Sequence, residues 1–190
     1  MMNGPASDSE SLVRLSDLAE PGPALAALEA IFFESSVRTE FAAADERRGF
    51  FERWTAYYLE HCRRDVWFWR DADGGIAGYL TGCRDSAAAA GIYAALPAYA
   101  LFEDCFVEYP AHLHVNCFGT RRNVGIGARL IERFALECRE AGLPGLHVVT
   151  GPGARNVGFY HRVGFTEHKV RAWQGRPLLF MGRSLRARAL

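Results

Sequence analysis

The sequence predicts a single α/β domain with a mixed central sheet of about six to seven strands flanked by helices. Three observations carry that expectation. Segments with helical spacing of apolar residues interchange along the chain with segments of strand-like alternation. The strands before residue 90 are joined through a tight turn, which makes that half of the sheet antiparallel. Further on, a strand, a glycine loop, a long amphipathic segment and another strand follow in order, so those two strands run parallel.

Each element follows from its own residues. The polar stretch 1–10 reads as a disordered lead-in, and 11–190 as the domain. "SLVRLSDL" alternates enough for a short strand, and "PALAALEAIFFESS" places Leu25, Leu28, Ile31 and Phe32 at helical intervals. "DERRGFFERWTAYYLEHCRR" is a second helix through Phe50, Trp54, Tyr57 and Tyr58, with arginines at its end. "VWFWRDADGGIAGYLTGCRD" is a hairpin turning at Asp73-Gly74-Gly75. The segment from Ala87 to "LFEDCFVEYPA" shows no dominant period and is left unassigned. His112–Phe118, "HLHVNCF", is a strand, followed by a helix from about Gly127 to Ala141, and "LHVVT" is the next strand. "ARNVGFYHRVGF" is a short helix, and "EHKVRAW" and "LLFMGRSL" pair around Gln174-Gly175. The edge of that last pair is where a homodimer would form.

Composition narrows the function classes. Among 190 residues, 22 basic side chains balance 22 acidic ones, which argues against nucleic acid or an anionic membrane as the main partner. The five cysteines are odd in number and lack a CxxC pair, so neither a disulfide framework nor a structural zinc site is expected. The N-terminus lacks an apolar core of signal length, and no run is long enough to span a bilayer. A cytoplasmic protein without a metal cofactor is the expectation.

The chemistry centres on "TRRNVGIGARLIERF". Glycines after a strand and before a long helix bring backbone N–H groups and the positive end of the helix dipole to an anion. An ordinary flexible turn is the other reading of the loop taken alone. A P-loop is excluded because no lysine follows; Lys169 is the sole lysine of the chain. A dinucleotide fingerprint is excluded because Leu130 stands where the third glycine belongs.

Arg122-x-x-Gly125-x-Gly127, set between a strand and a long helix and followed by "FYHRVGF" (Phe159–Phe165), resembles the GNAT superfamily of acyl-CoA-dependent N-acetyltransferases. The element order fits that family over nearly the whole chain. The resemblance implies a sheet splayed at the cofactor site and acetyl-CoA as acyl donor. Arg122, Asn123, Val124, Gly125, Ile126, Gly127 and Ala128 would then hold the pyrophosphate. Cys117 and Phe118 would pair with the pantetheine arm through their main chain. Tyr160 would be the general acid on the leaving thiolate. Three departures stand out: Gly119 stands where proline is frequent, Asn123 replaces a frequent glycine, and Gly153 occupies the place of a cofactor-contacting asparagine. Asn156 is a candidate for that contact only if the helix start shifts by three residues.

The implied reaction needs a neutral amine. A lysine of pKa about 10.4 is roughly 1 part in 2,500 neutral at pH 7, a shortage of about 4.6 kcal/mol. A base is therefore useful, and Glu108, His112 and His114 are the candidates near the strand. His112, His114 and Asn116 share one strand face, which a polar layer beneath a helix explains equally. Trp54, Tyr57, Tyr58, Trp67, Phe68 and Trp69 are core by periodicity or acceptor contacts by position. Tyr93, Tyr99, Phe102 and Glu103 are further candidates for contacts with an amine-bearing acceptor. The expected function is transfer of an acetyl group from acetyl-CoA to a primary amine of a small molecule, peptide or protein. The alternative is a non-catalytic acyl-CoA-binding or interaction module of the same fold.

Overall fold

A computed structural model describes residues 10–186; of the lead-in expected at 1–10, all but its last residue lies outside the described residues. A seven-stranded sheet runs in the order β1-β2-β3-β4-β5-β7-β6. The strands are β1 (Ser11–Arg14), β2 (Val66–Arg70), β3 (Ile76–Cys83), β4 (Ala111–Cys117), β5 (Gly145–Thr150), β6 (Glu167–Trp173) and β7 (Arg176–Ser184). Neighbours are antiparallel except β4 and β5, which are parallel as the intervening helix requires.

The helices are α1 (Gly22–Ser35), α2 (Ala44–His61), α3 (Ala90–Ala95), α4 (Ile126–Glu140) and α5 (Val157–Arg162). The segment without a period is α3 followed by 3-10 turns over Pro97–Cys105, kinked at Phe102. Short elements of this kind leave no sustained period to read. The other boundaries agree with the sequence expectation to within a few residues.

Strand alternation sorts the core into two layers. On one face α4 buries Ile126, Leu130, Ile131, Phe134, Ala135 and Cys138 against Trp67, Leu80, Leu113, Leu146 and Met181. These positions recur every three or four residues, the spacing of one helical face. The last turn of α4 closes at Gly142, whose φ of +77° fits a left-handed C-terminal stop. On the other face α1 and α2 bring Leu28, Ile31 and Tyr58 against Phe68 and Tyr79. His112, His114 and Asn116 look into this second layer. Thus Trp67 and Trp69 belong to the α4 face, while Phe68 and Tyr58 belong to the α1–α2 face.

Candidate active site

The central strands part company. β4 has seven residues, yet it pairs with β5 only at Ala111↔Leu146 and His112↔His147. Beyond them β4 keeps its β3 partners as far as Cys117, and β5 keeps β7 as far as Thr150. The strands thereby open into a V, with the edge of Leu113–Cys117 unpaired toward β5. His114, Val115 and Asn116 are partly exposed there although they lie in a central strand.

The glycine loop sits at the open end of the V. Asn123 has φ of +64° and Gly125 +90°, so two left-handed residues turn the chain into α4. Asparagine reaches that region more readily than most residues, which is why it serves where glycine is frequent. The N–H groups of Asn123, Val124, Gly125, Ile126 and Ala128 have no hydrogen-bond partner among the described residues. They stand at the positive end of a 15-residue helix. A Cβ added at Gly125 meets nothing within 4 Å, so the space above the loop is clear. Gly127 serves packing instead. A Cβ there would come within 3.1 Å of the Phe159 ring, so its absence lets α5 approach α4. Arg122 braces the loop, donating from Nε to the Cys117 carbonyl at 3.2 Å and from Nη2 to Ser35 Oγ at 3.2 Å. Arg121 is tied to Asp71 in the β2–β3 turn.

This arrangement suits the diphosphate and amide chain of an acyl-CoA. The open N–H groups match the anion, and the unpaired β4 edge matches an extended amide arm. Among the described residues, no group of three or more His, Cys, Asp or Glu side chains is placed to hold a metal ion. No described helix is long and apolar enough to cross a membrane.

The other expected residues lie on α5, on β4, just before β4 and between β5 and α5. Tyr160, on α5, is 6% exposed and packs edge-on against Phe165 at 5.5 Å. Burial alone raises its pKa, so the hydroxyl stays protonated. It stands near enough to Tyr79 and Tyr99 that its ionised form would push both of theirs upward. Cys117 is buried, and burial pushes its thiol up to about 11 against the opposing pull of Arg122 and the Gly127 N–H. A protonated thiol is a poor nucleophile, which accords with a main-chain role for this residue.

The two histidines of β4 differ. Ser86 Oγ donates to the Pro110 carbonyl at 2.6 Å and so must accept from His112 Nδ1 at 2.7 Å. His112 Nε2 then accepts from Tyr58 Oη at 2.8 Å. Both ring nitrogens are used, and burial holds the ring neutral. His114 contacts Tyr99 Oη at 3.1 Å through Nε2, and its Nδ1 has no partner among the described residues. Burial brings its pKa down to about 4. Glu108 stands exposed near the N-terminal end of β4, opposite the loop, and is not gathered with the others. Asn156 stands just before α5, makes no side-chain cap bond to it, and accepts a hydrogen bond from Thr150 Oγ1 at 3.0 Å, at the tip of β5. Gly153 is exposed, and a Cβ added there would meet nothing within 4 Å.

The structure adds Tyr79 and Glu34, and a partner for Asn116. Asn116 Nδ2 donates to Tyr79 Oη at 2.9 Å, and Glu34 accepts from the Gly119 N–H. Alternation in "GYLTGC" places Tyr79 on the Asn116 side, but only the β3–β4 register makes them opposite. Trp67, Phe68 and Trp69 are core, as are Tyr58 and Phe102, while Glu103 is exposed.

No protein-family model matches the sequence, and no curated protein does. Solved structures do. The chain is similar to the crystal structure of SsHAT, with TM-score 0.71 and 19% identity over 94% of this chain and 100% of that one. An N-acetyltransferase from Staphylococcus aureus Mu50 aligns with TM-score 0.57 and 15% identity, covering 94% and 99%. The yncA protein of Salmonella typhimurium, solved with its cofactor acetyl-CoA, gives 0.55 and 18%, covering 96% and 97%. Likeness at these identities speaks for architecture, and with the single parallel β4–β5 pair it establishes that the chain has the GNAT fold.

Proposed function

We propose that the protein is an N-acetyltransferase that takes its acetyl group from acetyl-CoA and gives it to a primary amine. The observation that carries this reading is the coincidence of an open β4 edge with a left-handed, unpartnered N–H loop at its tip. The open N–H groups of Asn123, Val124, Gly125, Ile126 and Ala128 would receive the pyrophosphate, and Arg122 would fix the loop. Phe118 does not pair with the amide arm as expected, because its N–H is spent on the Ala77 carbonyl and its carbonyl on the Arg121 N–H, while the Cys117 carbonyl takes Arg122; the unpaired β4 edge before Phe118 would face the arm instead. When bound, acetyl-CoA supplies a thioester carbon open to an amine and a sulfur able to leave.

The side chains divide the proton work. Tyr160 Oη keeps its proton at neutral pH and is the acid for the departing sulfur. His112 is occupied at both nitrogens, which leaves His114 as the base of β4. Its Nδ1 lone pair is available only in the tautomer whose Nε2–H donates to Tyr99. A base titrating near 4 does not strip a proton from a free alkylammonium. The acceptor therefore becomes neutral before attack, and His114 takes its proton once the new N–C bond has made the nitrogen acidic. Cys117 takes no covalent part in this reading.

Thermal-shift titration with acetyl-CoA, followed by assay of free thiol release with an amine, tests the proposal. Acetyl-CoA at a hundred times its dissociation constant should stabilise the fold by about 2.7 kcal/mol. Absence of any shift at millimolar acetyl-CoA overturns the reading. A shift without thiol release from a broad amine panel replaces it with a non-catalytic acyl-CoA-binding module.

A further inference from the structure

The walls beside the exposed part of β4 carry aromatic rings and uncharged polar groups. The His114 ring lies 5.9 Å from Trp54, 5.6 Å from Tyr58 and 6.1 Å from Tyr99, centroid to centroid. Trp54 is partly exposed at the edge of this group, and Asn116 lies next along the same face. Among the described residues, no carboxylate is hydrogen-bonded to His114, Tyr99, Tyr58 or Asn116, whose partners are one another, His112 and Tyr79. Glu34, at the end of α1, is engaged by the Gly119 N–H.

Resting on the acyltransferase reading, we propose that the acceptor is a monoamine borne on an aromatic or similarly flat apolar group, seated against the partly exposed Trp54 and His114 rings, which buried Tyr58 and Tyr99 back. Ring faces stack on such a group and attract one ammonium on its way in. Removal from water then favours the neutral amine, the form that attacks. A polyamine or a lysine-rich peptide brings further ammonium groups, and among the described residues no carboxylate is hydrogen-bonded into these walls to offset their lost hydration. Trp54 is thus a specificity-determining residue: α2 holds it over the strand, and it touches the acceptor body while His114 serves the amine.

Thiol release from acetyl-CoA is measured with 2-phenylethylamine, tryptamine, spermidine and a lysine-rich peptide. The expected kcat/KM for the two aromatic amines exceeds that for spermidine by about tenfold or more. Trp54→Ala should raise KM for tryptamine about tenfold, and Trp54→Phe should restore most of it, while the acetyl-CoA thermal shift, which also reports folding, stays as in the unmodified protein. Preference for spermidine or the peptide overturns the acceptor proposal and leaves the acyltransferase reading standing. Unchanged KM in Trp54→Ala overturns the placement of the acceptor. Failure of every amine to release thiol overturns both proposal and reading.

Discussion

Tyr99 Oη meets His114 Nε2 at 3.1 Å, joining the irregular segment after α3 to the middle of β4. Among the described residues, no other hydrogen bond holds that imidazole in one tautomer. If His114 serves as base, Tyr99 is a positioning residue for it. Tyr99→Phe should lower kcat about tenfold while leaving the acetyl-CoA thermal shift intact. The lost hydrogen bond should also cost about 1 kcal/mol of stability, read from urea unfolding. An unchanged kcat would separate Tyr99 from the chemistry.

Two substitutions in the loop separate conformation from binding. Gly125→Ala adds a methyl group with no neighbour within 4 Å but at φ +90°, so its cost is backbone strain of about 1 kcal/mol. Gly125→Glu adds similar strain and also brings a carboxylate to the anion position. The alanine variant should keep an acetyl-CoA thermal shift and the glutamate variant should lose it. Two variants with equal shifts would mean that the loop does not hold the pyrophosphate.

Acid stability follows from the buried histidines. His114 and His147 both sit near pKa 4, mainly through burial, and His112 is also held low. His147 donates from Nδ1 to the Tyr109 carbonyl at 2.7 Å, while its buried Nε2 has no partner among the described residues. Below the unfolded value of about 6.5, the unfolded chain binds protons that the native state refuses, so stability falls as pH falls. The window is about pH 6.5 down to 4; fully buried His147 contributes up to about 3 kcal/mol and partly exposed His114 less. Urea midpoints at pH 7 and pH 5 should differ clearly. His147 stacks between Phe106 and Phe180, and His147→Phe should narrow that difference.

The legible part of the molecule was local. Alternation and helical spacing located every strand and the four helices outside 87–110, and the order strand–loop–helix–strand implied the parallel pair. The loop residues are readable because backbone geometry demands particular types at Asn123 and Gly125. The polar pairs were not readable: Tyr79–Asn116 depends on strand register, and Tyr99–His114 depends on a segment whose 3-10 turns carry no period. His112 and His114 are equivalent by alternation. Only Ser86 and Tyr58, 26 and 54 positions away, set them apart.

Helix α4, and hence the loop at its start, is anchored through Glu137. That carboxylate is nearly buried and accepts from Arg14 of β1, from Arg84 at 3.0 Å just after β3, and from Arg133 one turn earlier at 2.9 Å. Arg84 also donates to Asp65 at 2.8 Å, so three guanidinium groups share two carboxylates. Glu137 is the buried member, while Arg14, Arg84 and Arg133 keep 21%, 34% and 39% exposure, so removing its charge costs charge-assisted hydrogen bonds of about 1.5–3 kcal/mol rather than stranding buried cations. Glu137→Gln should therefore lower the urea midpoint clearly, and added salt should restore little of it because the carboxylate itself is only 7% exposed. Asp104 gives the contrast: it is exposed, pairs with Lys169 and Arg171, and joins the turns after α3 to β6. Asp104→Asn should have a much smaller effect that fades as salt is added. If the two variants respond alike, the Glu137 cluster is not what seats α4 against the sheet.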